Sequence, residues 1–89
     1  MEKLPFKETI QNDYRVRTFL ENVEFSDLKW HTDEQDRIVI PLHETDWKIQ
    51  LDNELPITMI KGKKYFIPEG IYHRVIKGNG DLKVKIFFK

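Results

Sequence analysis

The sequence contains no cysteine and no long apolar run, and neither charge is in excess. Without cysteine, its 89 residues cannot form a disulfide framework, a cysteine-ligated zinc site or a thiol nucleophile. Fifteen basic and fifteen acidic residues cancel at neutral pH, so charge gives no reason to expect a nucleic-acid partner. The one basic run, residues 61–64, is typical of a solvated loop. No stretch is long enough to cross a bilayer and the N-terminus lacks a secretion-signal pattern, so we expect a cytoplasmic protein without a membrane partner.

A chain of this length predicts a single domain. We expect residues 1–24 to be an N-terminal arm or the first strand of that domain, and residues 25–89 to form its body. Residues 1–12 are mixed and polar, and Pro5 is expected to block regular structure early in this stretch. Residues 13–24 fit both a helical stripe and strand alternation, and their richness in β-forming residues favours a strand.

The rest of the chain has the pattern of short strands separated by polar turns. Seven candidate strands cover residues 25–31, 37–42, 47–51, 55–60, 65–67, 72–77 and 82–88. Pro56 indicates either that the fourth of these lies at a sheet edge or that the proline is among its first residues. Seven or eight strands at near-regular spacing predict an antiparallel sandwich or barrel.

Strand alternation predicts which side chains face inward. It groups Leu82, Val84, Ile86 and Phe88 on one face of the last strand, and it groups Asp36, Ile38, Ile40 and Leu42 on one face of the second candidate strand. The outer face would then include the apolar residues Val39, Ile76 and Phe87. An apolar outer face is often buried against a second copy of the chain, so we predict a homodimer.

The most distinctive motif is Gly62-x5-Pro68-x-Gly70-x2-His73. The proline and the second glycine predict a tight turn between two strands. His73 would open the outgoing strand, on the same face as Val75.

This motif resembles the second conserved motif of the cupin superfamily, whose members are antiparallel jelly-roll β-barrels with a metal pocket at the barrel mouth. That family's pattern continues with an asparagine four residues later, where this chain has Lys77. The resemblance covers residues 25–88 and implies an all-β, antiparallel, cupin-like jelly-roll barrel. The chain is similar to small stand-alone cupins that have no assigned role.

The first cupin motif, in which His-x-His is followed four or five residues later by a glutamate, matches only in part. One register takes His31 as the second histidine and Asp36 as the carboxylate, with Lys29 at the first histidine. The other register takes His31 as the first histidine and Asp33 as the second, but leaves no carboxylate at the glutamate position. We prefer the first, because alternation places Lys29 and His31 on one face.

The resemblance then implies His31, Asp36 and His73 as metal ligands. Two imidazoles and one carboxylate suit Fe(II) and tolerate Zn or Mn, and Ni also occurs in the family. Lys29 opposes a metal, because an ammonium about 4 Å from a dication is repelled by roughly 8 kcal/mol at an effective dielectric constant near 20. A metal-free pocket in which Lys29 and His73 grip a small anionic ligand is the alternative.

Further candidate ligand-binding residues come from the expected pocket wall. Aromatic and polar side chains commonly line small-molecule sites, and the candidates are Lys29, Trp47, Gln50, Tyr65 and Arg74. Core packing is the preferred explanation of Trp47, and a surface ion pair is the default explanation of Arg74. The sequence leaves open whether the protein is an enzyme, a binding module or an interaction protein on a cupin barrel.

Overall fold

The computed structural model describes residues 4–88, so residues 1–3 of the predicted N-terminal segment and residue 89 of the predicted body lie outside it. This part of the chain forms eight strands and one short 3-10 helix. The strands are β1 (Phe6–Ile10), β2 (Arg15–Phe19), β3 (Arg37–Pro41), β4 (Lys48–Leu51), β5 (Ile57–Thr58), β6 (Tyr65–Ile67), β7 (His73–Ile76) and β8 (Leu82–Phe88). Every strand pair is antiparallel, which confirms the predicted antiparallel all-β class. Within residues 4–88, no helix is long and apolar enough to cross a membrane.

The strands form two sheets, with the order β1-β2-β8-β3-β6 in the larger and β5-β4-β7 in the smaller. β8 lies at the centre of the larger sheet, where it pairs with β2 and β3, and its residues Leu82, Val84 and Ile86 are buried as predicted. β4 supplies Ile49 to the same core, and Trp47 just before it is 0 % exposed. Burying side chains of this kind stabilises the fold by about 1.5–3 kcal/mol each. β5 follows Pro56 and lies at an edge, also as predicted.

The N-terminal segment is more regular than its sequence indicates. β1 begins at Phe6, directly after Pro5, so the expectation that Pro5 blocks regular structure early in the chain was wrong. A proline that precedes the first strand residue removes no donor from the ladder. β2 confirms the strand interpretation of residues 13–24 and joins β1 to β8. Phe6 on β1 packs edge-on against Phe19 on β2, with ring centroids 5.5 Å apart.

The predicted strand over residues 25–31 was wrong. The chain instead makes the 3-10 helix Phe25–Asp27, closed by hydrogen bonds from the Asp27 and Leu28 amides to the carbonyls of residues 24 and 25, at 3.0 and 3.1 Å. His31 alone in this stretch pairs with a strand, through two backbone hydrogen bonds to His73 of 3.0 and 2.9 Å. The pairing with β7 therefore positions His31, and strand alternation does not.

The inward face of β3 is the opposite of the predicted one. Asp36, Ile38, Ile40 and Leu42 do not form that face. Val39 is 7 % exposed and pairs with Ile86, while Arg37 pairs with Phe88. Paired residues of an antiparallel ladder point to the same side, so the core face of β8 determines the inward face of β3. Val39 therefore leaves the predicted dimer face, and the homodimer stays a prediction.

A polar clamp joins the loop before β4 to the loop before β8. The Asn79 amide and side chain both donate to the Asp46 carboxylate, at 2.7 Å each, and the backbone bond is the main reason that the pKa of Asp46 is lowered. The indole Nε1 of Trp47 donates to the Gly80 carbonyl at 3.0 Å. Gly78 lies very close to the backbone of the loop before β4. A Cβ at this position would be 2.7 Å from the Trp47 backbone nitrogen and 2.8 Å from the Asp46 carbonyl carbon.

Candidate metal centre and its pocket

His31, Asp33 and His73 bring their donor atoms within 4.8 Å of one another on the inner side of the fold. Asp33 Oδ2 lies 3.2 Å from His73 Nε2, and Asp33 Oδ1 lies 3.9 Å from His31 Nε2. Asp33 and His73 are buried, at 9 % and 4 % exposure, whereas the His31 side chain is half exposed. The backbone pairing of the two histidines places their rings 4.3 Å apart.

Backbone carbonyls determine the tautomer of both histidines. Nδ1 of His31 lies 2.9 Å from the Lys29 carbonyl, and Nδ1 of His73 lies 2.9 Å from the Ile71 carbonyl. A carbonyl only accepts hydrogen bonds, so each Nδ1 carries a hydrogen and, in a neutral ring, each Nε2 carries a lone pair. Both Nε2 atoms therefore offer lone pairs on the side where the Asp33 carboxylate lies.

The protonation state of His73 suits a metal ligand. Burial lowers the pKa of His73 below its ordinary value of 6.5, and the nearby His31 ring lowers it further. The hydrogen bond with the Ile71 carbonyl and the charge of Asp33 act in the opposite direction. His73 is therefore neutral at neutral pH, with its Nε2 lone pair available.

The buried carboxylate lacks a hydrogen-bond partner on one oxygen. Asp33 Oδ2 accepts no hydrogen bond, although it faces an imidazole nitrogen and a guanidinium. Leaving such a group unsatisfied costs about 1–3 kcal/mol, more when it is charged. Two imidazole nitrogens and a carboxylate are also the ligand set of non-haem Fe(II) sites. The three residues therefore fit a divalent transition metal, which would satisfy that oxygen.

Arg37 adds a fixed positive charge beside the donors. Its Nε atom lies 3.3 Å from Asp33 Oδ2, yet it is buried and donates no hydrogen bond. Burial lowers the pKa of Arg37 and the charge of Asp33 raises it, but a guanidinium stays protonated in proteins. The site thus combines three donors with one cation.

Asp36, expected as the carboxylate ligand, is not part of this group. Its Oδ1 accepts the Glu69 amide at 2.8 Å, in the turn before β7. Asp33 is the carboxylate of the other register considered above, His31-x-Asp33, which puts Arg37 at the glutamate position. That register was available in the sequence. The preference for Asp36 relied on strand alternation through residues 25–31, where the structure has a 3-10 helix.

The two aromatic residues expected to bind a ligand, Trp47 and Tyr65, are instead packed and hydrogen-bonded within the protein. Trp47 is fully buried in the core, with its indole nitrogen bonded to a loop carbonyl. Tyr65 is buried as well, and its hydroxyl accepts the Ile60 amide at 2.8 Å. Neither side chain lines the cavity or the pocket around His31.

Gln50 and Arg74 lie opposite each other on paired strands of the smaller sheet. The Arg74 Nε donates to Gln50 Oε1 at 2.9 Å, and its guanidinium lies 4.7 Å from the centre of the Trp30 ring. Both residues are absent from the lining around the histidines.

Two adjacent spaces lie beside the donor group. An inner cavity of ≈ 50 Å³ is lined by all three donor residues and by Arg37. An outer pocket of ≈ 250 Å³ includes Lys29 on its wall, and the role of Lys29 in ligand binding stays a prediction. Four residues line both spaces and form the boundary between them: Arg17, Phe19, His31 and Val75. Of the three donor residues, the half-exposed His31 is the one that faces both spaces.

No protein-family model matches the sequence, and no curated protein is similar to it in sequence. Solved structures do match. A cupin domain from Bordetella pertussis Tohama I is 22 % identical with a TM-score of 0.64, over 100 % of this chain and 98 % of that one. A structure of DMSP lyases has a TM-score of 0.72 at 12 % identity, over 85 % of this chain and 37 % of that one. Fe(II) HppE has a TM-score of 0.66 at 18 % identity, over 85 % of this chain and 41 % of that one.

These similarities show that the chain has the cupin-type jelly-roll fold, as its second motif predicts. It spans nearly the whole Bordetella domain but well under half of the DMSP lyase and HppE chains. Fold and site together define a small cupin-fold protein with a His-Asp-His group beside an internal cavity.

Proposed function

We propose that this protein is a metal-binding cupin in which His31, Asp33 and His73 hold a divalent transition metal next to a small-molecule pocket. The observation that supports it best is Asp33 Oδ2, which is buried without a hydrogen-bond partner between the His73 imidazole and the Arg37 guanidinium, while Asp33 Oδ1 faces His31. HppE, a structural neighbour known in an Fe(II) form and with a bound substrate, is consistent with such a site on this fold.

Each residue has a separate task in the proposed site. The Lys29 and Ile71 carbonyls hold the two rings with Nε2 toward Asp33. The carboxylate supplies negative charge, and a bound metal of this class supplies Lewis acidity or an oxygen-binding centre. The mainly apolar lining of the inner cavity limits the access of bulk water to the two buried donors, Asp33 and His73.

The metal content of matched variants tests this proposal. We expect the protein, purified without a metal-affinity tag and supplied with Fe, Mn, Zn or Ni, to hold about one ion per chain by elemental analysis. Asp33→Asn should weaken the affinity more than tenfold, which is about 1.4 kcal/mol. Asp36→Asn removes the same charge three residues away and should leave the affinity unchanged.

Equal effects of the two substitutions, or no metal in the unmodified protein with any of the four ions, would contradict the proposal. The second result would favour a metal-free pocket for a small anion. The buried Arg37 Nε, which lacks an acceptor, supports that second candidate. In that case, chelator-treated protein should gain thermal stability from small anions, because a ligand that binds the native state stabilises it.

A further inference from the structure

Three arginines lie on the inner face of the larger sheet, where apolar side chains are the rule. Arg15 and Arg17 on β2 pair with Ile86 and Val84 of β8, whose side chains are buried. Arg37 on β3 pairs with Phe88 on the same face of β8.

The carboxylates nearby do not neutralise these arginines completely. Glu8 on β1 is shared by two of them: its Oε1 lies 3.1 Å from Arg15 Nη1, and its Oε2 lies 2.8 Å from Arg17 Nε and 2.7 Å from Arg17 Nη2. Asp33 is the carboxylate beside Arg37, and it also faces the histidines. The wall of the outer pocket adds Asp27 and Lys29, so four cationic side chains against three carboxylates leave one net positive charge around the two spaces.

Arg17 and Arg15 share the Glu8 carboxylate but differ in where they lie. The Arg17 guanidinium lies 3.8 Å from the centre of the Phe6 ring, and its side chain is 12 % exposed. It lines both the inner cavity and the outer pocket. The Arg15 side chain is 42 % exposed, lies 4.7 Å from the centre of the Phe88 ring and lines neither space.

We propose that the pocket binds a small organic oxyanion, a carboxylate or a phosphoryl compound, whose charged group is held between Arg17, at the boundary of the two spaces, and Arg37, in the inner cavity. The body of the ligand would lie in the outer pocket, toward Lys29. A guanidinium presents a planar fork of donors that matches both kinds of oxyanion. Arg37 has a buried Nε without an acceptor, which is the kind of donor that such a ligand satisfies. This inference deepens the proposed function and rests on it only for the position of the pocket.

Isosteric probes and matched variants test the inference by calorimetry at constant ionic strength. Propionate and methylphosphonate represent the two oxyanions, and propionamide is the neutral control. We expect at least one anion to bind and the amide not to bind. Arg17→Gln should lower the anion affinity at least tenfold, whereas Arg15→Gln removes the same charge from the same Glu8 partner and should change it less than threefold.

Equal losses in the two variants, or binding of propionamide as tight as that of propionate, would overturn the inference. Circular dichroism checks that each variant folds, and Arg17→Lys replaces Arg17→Gln if the latter does not. The lysine keeps the charge but lacks the fork, so we expect a loss of at least threefold.

Elemental analysis of the same preparations separates this inference from the proposed function. Binding of anions that depends on Arg17 in a protein without metal would support the inference and contradict the metal site. A metal-loaded protein that binds neither anion would support the metal site and contradict the inference. Agreement with both proposals requires that Arg17→Gln keeps its metal and loses the anion.

Discussion

Arg37 lies beside the donor group, with its Nε atom 3.3 Å from the Asp33 oxygen that faces His73. A metal held there would be close to a guanidinium that burial has partly stripped of water. Unit charges about 4 Å apart interact by about 4 kcal/mol at an effective dielectric constant of 20, and the partial exposure of Arg37 reduces that value. The arginine therefore weakens metal binding while it attracts an anion.

Removing this charge should strengthen the metal site. We expect Arg37→Gln to bind Zn²⁺ roughly tenfold more tightly, about 1.4 kcal/mol, in competition with a chelator of known affinity. Arg37→Lys keeps the positive charge and should stay within threefold of the unmodified protein. Weaker binding by Arg37→Gln would show that the arginine is needed to orient Asp33, contrary to this account.

The residues of the site were only partly predictable from the sequence. His73 follows from the proline-glycine turn motif, and His31 follows from its partial match to the first cupin motif. Asp33 was a candidate only in the second register of the first cupin motif. That register was not preferred, because it puts Arg37 where the family has a glutamate. Arg17 carries no motif at all. Its place at the pocket boundary depends on the pairing of β2 with β8, which alternation within β2 cannot reveal.

The sequence predicted where strands occur better than it predicted which face of each strand points toward the core. The alternation of β8 and β4 is clean because one face of each is apolar. β3 has apolar residues on both faces, so its sequence is compatible with either face pointing inward. Its pairing with β8 determines which face is buried. Residues 25–31 contain strand-forming residues, yet the local hydrogen bonds of a 3-10 helix prevail and leave one bridge to β7.

The clamp between the loops before β4 and β8 leads to a prediction on stability. We expect Gly78→Ala to destabilise the protein by about 1–3 kcal/mol in chemical denaturation, since the added Cβ would meet backbone atoms of Asp46 and Trp47. Lys61→Ala, in an exposed turn, serves as the control and should have little effect. An unchanged unfolding free energy for Gly78→Ala would show that these loops move apart easily.

At the scale of the whole molecule, two sheets enclose an apolar core that opens at one side toward β1 and the 3-10 helix. The all-β antiparallel class and the cupin-type fold were predictable, because strand spacing and one motif suffice for them. The participation of β1 in the pocket was not predictable. Phe6 lines the outer pocket and Glu8 holds two arginines, although residues 1–12 have no clear strand pattern.

The central claim is that His31 and His73 bind a metal through Nε2 together with Asp33. Nitrogen NMR of protein labelled at its three histidines tests it most directly during titration with Zn²⁺ after treatment with a chelator. We predict that the Nε2 resonances of His31 and His73 shift at one equivalent while both Nδ1 atoms stay protonated. His43, whose Nε2 already accepts the Lys83 amide at 2.9 Å, should not respond. Unchanged resonances of His31 and His73, or ligation through Nδ1, would contradict the account.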